Sequence, residues 1–201
     1  MKKITILYPK QFTCYEKFER KVLRIIEKIS DFSVVATSDP NNFIDKLLKS
    51  KLPDVALSLV SDFAISDITH AIVFDDGEEF SEETSALQQN KIPLRLIKIK
   101  ITRVINIKKE VEISSRKSSP VYEYIGRGSY WGNPHSMFED GDDREEVIRK
   151  YKYDFDFEKF PHIEKNEVYK LVGKRLGCFC KPQACHGDVL ADFLNSWDDG
   201  K

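Results

Sequence analysis

The strongest constraint on the fold is an alternation of strand-like and helix-like segments over the first hundred residues. Residues 3–8 alternate briefly and stop at Pro9. Tyr15, Phe18, Val22, Ile25, Ile26 and Ile29 then recur at three- and four-residue steps, which predicts a helix within 14–30. Ser33–Thr37 reads as a second strand. Ser38-Asp39-Pro40 offers a helix start, and Phe43, Ile44, Leu47 and Leu48 mark the apolar side of the helix that follows. Further strand signals fall at 54–60, at 71–74 before the turn residues Asp75-Asp76-Gly77, and at 94–99, with a helix opening at Ser81. Strands alternating with helices predict an α/β fold with a parallel or mostly parallel sheet.

The pattern changes after Ile107. Residues 109–119 are polar and rich in Ser and Lys, and read as a linker between a domain over 1–108 and a smaller α+β domain over 120–201. In the second part, 121–125 is strand-like. A helix capped by Asp142 or Asp143 runs through Glu146, Ile148 and Tyr151, and 153–160 reads as strand or loop. A short helix over 166–172 closes at Gly173, a strand covers 176–180, and a last helix runs from Gly187 or Asp188 to Trp197.

Within that second part, Cys178, Cys180, Cys185 and His186 fall within nine residues, and they include three of the four cysteines. No apolar run approaches the roughly 20 residues of a membrane helix, and the N-terminus does not read as a signal peptide. The expected location is cytoplasmic, where thiols stay reduced. Disulfides are then disfavoured, and metal binding or thiol chemistry gains weight. Thiolate and imidazole are donors that zinc prefers, and four of them complete a tetrahedron. The strand is expected to end or bulge near Phe179, with Cys178 and Cys180 sharing an ion. An iron–sulfur cluster is a further possibility. A second reading makes Cys185 a nucleophile at the start of the last helix, where the dipole favours a thiolate, with His186 beside it and Asp188 orienting His186 or taking a proton. A third makes the segment a structural loop.

A second motif precedes it: Gly126-Arg127-Gly128-Ser129-Tyr130-Trp131-Gly132-Asn133-Pro134. Gly126, Gly128 and Gly132 allow a backbone to approach a ligand, and amides in such turns can cradle an anion. Arg127 suits bidentate contact with phosphate or carboxylate. Trp131 could stack on a ring, and Asn133 belongs to the same candidate set. A tight structural turn explains the glycines equally well. Arg144 opens a helix, where a cation is unfavourable for the dipole, and so hints at an anion. His135 abuts the loop. In the first part, the turns Tyr8–Thr13 and Thr37–Asn42 contain no glycine, so the usual phosphate cradle of a nucleotide-binding α/β unit is missing. The net charge of −1 argues against a strongly basic nucleic-acid binder, although a local patch can hide in a neutral total.

Ile125-Gly126-Arg127, Gly132-Asn133-Pro134, Arg144-Glu145-Glu146 and the run Cys178-Phe179-Cys180-Lys181-Pro182-Gln183-Ala184-Cys185-His186-Gly187-Asp188 resemble, in order, the hallmarks of domain of unknown function 4326 of bacteria and phages. The resemblance implies that loop and cluster belong to one site. The strand–helix order of the first part, with Asp67–Phe74 before a helix and the strand at Leu94, resembles the Rossmann-like SLOG superfamily, which implies a nucleotide or nucleotide-derived ligand.

Together these readings predict binding, and processing at a glycosidic or phosphate linkage, of a nucleotide-derived ligand by a hydrolase or transferase of bacterial or phage context. The competing expectation is a non-enzymatic module that contacts nucleic acid or protein and is stapled by zinc. Both depend on the Arg127 loop and the cysteine segment meeting in space.

Overall fold

A computed structural model describes residues 1–62, 64–109, 118–137 and 141–200. Most of the expected linker, 110–117, lies outside these residues. The chain divides into two compact units. One is Met1–Ile99 with the last residues from Asp198; the other is Lys100–Trp197.

In the first unit, β1 (Lys2–Leu7), β2 (Phe32–Ala36), β3 (Leu57–Leu59), β4 (His70–Asp75) and β5 (Leu94–Lys98) form a five-stranded sheet in the order β3-β2-β1-β4-β5. All four pairings are parallel. The connecting helices are α1 (Tyr15–Ile26), α2 (Phe43–Lys51) and α3 (Ser81–Gln89). The central strands are buried on both faces and therefore carry nearly continuous apolar runs, Ile4–Leu7 and Ala71–Phe74. Helix α1 lays Phe18, Val22 and Ile26 on the sheet, the residues its periodicity predicts. Phe18 stacks on Phe74, Phe12 stacks on Phe74, and Tyr8 stacks on Phe43. This is the expected α/β architecture.

The second unit has a three-stranded parallel sheet, β6 (Arg103–Asn106), β7 (Tyr122–Tyr124) and β8 (Arg175–Cys178), with β8 in the middle. Helices α4 (Arg144–Asp156) and α5 (His186–Ser196) and a 3₁₀ segment, Lys165–Leu171, pack with it. Residues 103–106 read in sequence as a continuation of the first domain, yet their backbone partners are on β8. Alternation identifies a strand but not the sheet it joins. A buried clamp anchors this region. Thr102 N–H donates to Asn195 Oδ1 at 2.9 Å, and Asn195 Nδ2 returns a bond to the Thr102 carbonyl at 3.0 Å.

Helix α4 corrects the expectation of strand or loop from Tyr153. It continues to Asp156 because Val147, Tyr151 and Phe155, spaced four apart, are its buried positions. Alternating aromatic and charged residues at 153–157 hide that period. Asp143 caps the helix by accepting from Glu146 N–H at 2.8 Å.

Candidate functional site

The glycine loop and the cysteine segment leave the sheet at the same edge. β7 and β8 are parallel neighbours, with Tyr124 opposite Gly177, and Ile125 N–H still bonds the Gly177 carbonyl at 3.0 Å. The loop that starts at Gly126 and the segment that starts after Cys178 are thus two carboxyl-end connections side by side, where open α/β sheets place their ligands. Between them lies a cavity of about 190 Å³ lined by Gly126, Arg127, Asn133, Arg144, Cys178, Cys180, Cys185 and His186. His135, Met137, Val147, Ile148, Phe179 and Ala184 complete its wall.

β8 ends at Cys178. Asn106 Nδ2 then bonds the carbonyls of Phe179 and Lys181, and Gln183 N–H bonds the Cys180 carbonyl at 3.0 Å. The chain curls, so Cys178 and Cys180 point the same way, with sulfurs 3.5 Å apart. Cys185 is the N-cap of α5: its Sγ accepts from Gly187 N–H at 3.4 Å, and the Asp188 carboxylate accepts from Cys185 N–H at 2.9 Å. The sulfurs of Cys178, Cys180 and Cys185 all lie within 4.8 Å of one another.

His186 is not part of that triad. Its ring is buried, and Nε2 donates to the Ile125 carbonyl at 2.8 Å, which leaves Nδ1 as a lone pair 3.7 Å from Cys185 Sγ. Burial lowers its pKa and keeps the ring neutral. The three thiols share their protons unequally. Hydrogen bonds from Cys178 and then Cys185, followed by Arg144, hold Cys180 far below the ordinary thiol range. Hydrogen bonding to Cys180 raises Cys178, and hydrogen bonding to Cys178 and Cys180 raises Cys185. Cys180 is the most exposed member of the cluster.

Two arginines line the same cavity. Arg144 Nη1 donates to the Ala184 carbonyl at 3.2 Å, and Arg127 Nη1 reaches Ser136 Oγ at 3.5 Å. Among the described residues, neither pairs with a carboxylate. His135 Nε2 is bonded to Asp154 Oδ2 at 2.7 Å. Asn133 holds this corner together, donating to the Val147 carbonyl at 3.0 Å and accepting from His135 N–H at 2.9 Å.

Several sequence expectations need correction. Trp131 is 4% exposed, belongs to the hydrophobic core and does not line the cavity, so it offers no stacking face. Asp188 is committed twice, to the Cys185 amide and to Lys181 Nζ at 2.6 Å, and it too is absent from the cavity wall. The loop's amides are partly spent on itself: Ser129 N–H bonds the Gly126 carbonyl and Gly132 N–H the Ser129 carbonyl, at 3.0 and 3.1 Å. Its glycines answer to backbone geometry. Gly128 has a φ of +82°, and a Cβ on Gly132 would stand 2.8 Å from the Gly126 carbonyl oxygen. Gly128 and Gly132 line an adjoining depression with Tyr130 and His162. The pairing of His135 with Asp154 was invisible in the sequence because it depends on α4 running past Tyr153.

A profile described as a minimal SLOG domain matches residues 1–105, and one for domain of unknown function 4326 matches residues 105–196. The chain belongs to the minimal SLOG family, and its second part is similar to domain of unknown function 4326. The minimal SLOG assignment supports binding of a nucleotide-related ligand. A relative in enterobacteria phage T4, an uncharacterized 12.4 kDa protein in the nrdA–td intergenic region, is 43% identical over 72 residues, which cover 35% of this chain and 65% of the relative. This chain thus spans just under two thirds of the length of that relative. No solved structure matches the chain. Among the described residues, no helix is long and apolar enough to cross a membrane.

Proposed function

We propose that the second unit binds a nucleotide-derived ligand in the cavity between the glycine loop and the cysteine segment, and acts there on its glycosidic or phosphate linkage as a hydrolase or transferase. The observation that carries this reading is the convergence of Arg127 and Arg144 on one small cavity without a carboxylate partner among the described residues. Guanidinium groups beside an apolar wall can hold a phosphate or carboxylate by charge-assisted, bidentate hydrogen bonds. Met137, Val147, Ile148 and Phe179 supply the apolar surface a base or sugar ring needs. Phe179 replaces Trp131 as the aromatic face available to the ligand.

For processing, His135 held by Asp154 is the proton-transfer group, in the role expected of Asp188. The SLOG assignment over residues 1–105 gives the chain a nucleotide-related context, and the phage relative supports the phage context.

The test is a thermal-shift screen of the full chain against nucleoside mono- and diphosphates and nucleotide sugars, followed by calorimetric titration of the responders. Arg127→Ala and Arg144→Ala should each weaken binding by roughly 10- to 100-fold, the value of a charge-assisted hydrogen bond. Arg127 is exposed, so its variant should melt like the parent without ligand. No response across the panel, or unchanged affinity in Arg127→Ala, overturns the reading. Retained binding of single-stranded DNA with no nucleotide response would favour the interaction module.

A further inference from the structure

We infer that Cys178, Cys180 and Cys185 form a three-thiolate site for a zinc-class ion whose fourth coordination position opens into the cavity, rather than a closed structural staple. The inference deepens the proposed function, because it names what meets the ligand opposite the arginines. The first ground is spacing. Zinc–sulfur bonds of about 2.3 Å in a tetrahedron put sulfurs roughly 3.8 Å apart. The three sulfurs lie within 4.8 Å of one another, with Cys178 and Cys180 at 3.5 Å, so an ion needs only small side-chain rotations.

The second ground is how the three are presented. One comes from the end of β8, one from the turn that Asn106 clamps, and one from the N-cap of α5. Cys178 and Cys185 are 4% and 1% exposed, and Cys180 is half-buried. All three line the cavity, so the side of the triangle away from the core faces open space. Sites with three protein ligands and one free position are the catalytic kind, while structural sites are closed by four.

The third ground is His186. It is the imidazole next to Cys185 in the chain, but its ring is oriented by the Ile125 carbonyl and an edge contact with Tyr151, and its nitrogen does not join the sulfur triad. It is placed behind Cys185 as a positioning residue. Three thiolates and a divalent cation leave a net charge of −1, and Arg144, beside Cys180, is shared between that charge and the ligand's anion, which Arg127 also holds.

The experiment uses the full chain, purified under reducing conditions without chelator. Metal per chain is measured by mass spectrometry, and the ion is replaced by Co²⁺ for absorption spectroscopy. One ion per chain is expected, with sulfur-to-cobalt charge-transfer bands. Inorganic phosphate should shift the cobalt ligand-field bands in the parent and less so in Arg127→Ala. His186→Asn should keep the metal. Cys178→Ser and Cys185→Ser can unfold the core, so Cys180→Ser is the decisive variant: it should retain parental circular dichroism and lose metal affinity by at least the roughly 10- to 100-fold that even second-shell changes cost.

A chain free of stoichiometric metal, with rapid alkylation of one cysteine, overturns the inference in favour of a bare thiolate. A cobalt spectrum blind to phosphate, or lost in His186→Asn, overturns the open position. Nucleotide binding by metal-free protein would sink this inference and leave the proposed function standing. Metal with no nucleotide response would do the reverse.

Discussion

The carboxyl ends of the two sheets are furnished in opposite ways. In the first unit, Tyr8, Phe12, Phe43 and Phe74 pack against one another at the ends of β1 and β4. The N-terminus of α2, where an α/β domain can hold a phosphate, is closed from within. Asp39 takes the amides of Ile44 and Asp45 at 3.1 and 2.9 Å and accepts from the Tyr8 hydroxyl. At the end of β4, Asp75 and Asp76 likewise accept from the amides of Gly77, Glu78 and Glu79. In the second unit the strand ends carry arginines, sulfurs and a histidine around open space. The unit with the nucleotide-associated family name fills its anion positions with its own carboxylates, and the second unit leaves Arg127 and Arg144 without a carboxylate partner among the described residues. A family name therefore locates a fold more securely than it locates a site.

The sharpest way to break this contrast is Trp131→Ala. If Trp131 is core, as its burial and the Tyr151 hydroxyl bond to its carbonyl indicate, the substitution should cost about 3–5 kcal/mol in urea unfolding. A stable variant that loses nucleotide binding would restore Trp131 to the ligand site.

Asp39→Ala probes the closed end of the first unit. It removes a helix cap and the partner of a buried tyrosine, so about 2 kcal/mol of stability should be lost. Asp39→Asn should keep part of it. If Asp39→Ala is instead neutral and gains affinity for inorganic phosphate, the carboxylate is a plug that has no structural role.

A pH series separates the two halves of that contact. Burial, and then the bond to Asp39, raise the pKa of Tyr8 above its ordinary value of 10. A tyrosine raised in the folded state adds stability that is whole below about pH 10, where the unfolded chain also keeps its proton. That stability drains away as pH climbs from there towards the folded value, by at most about 1.4 kcal/mol per pH unit. Tyr8→Phe should be less stable at pH 8 and should show a shallower alkaline decline. An identical slope would assign the decline to other groups, Tyr151 first among them, since burial raises it as well.

How much of this was readable in the sequence follows from the range of each interaction. The parallel sheet of the first unit was legible because doubly buried strands and an amphipathic α1 write their periods directly into the chain. The meeting of Arg127 with the cysteines was foreshadowed by ordered motifs, although the parallel pairing of β7 and β8 that causes it was not visible. Trp131 was misread because a tryptophan beside glycines looks the same whether its ring turns outward or into a core. The His135–Asp154 pair was missed because it needs the register of α4, which the alternation at 153–157 conceals. Asp188 reads ambiguously because a first-turn acid serves a cap and a proton relay with equal economy of sequence.

Asp188→Asn carries the smallest expected effect and decides that last point. An asparagine oxygen can still accept from the Cys185 amide, so the cap survives. What is lost is the ion pair with Lys181, whose two side chains are about one third exposed (29% and 34%), a setting in which such pairs contribute about 0.2–1 kcal/mol. The loss should fall in that range in urea unfolding, shrink further at high salt, and leave metal content and nucleotide affinity at parental values. A cap explains all of these outcomes. A group that exchanges protons with the ligand would instead tolerate the change in stability and fail in binding or turnover, while His135→Ala, the replacement in the role assigned to the cavity wall, would leave them intact.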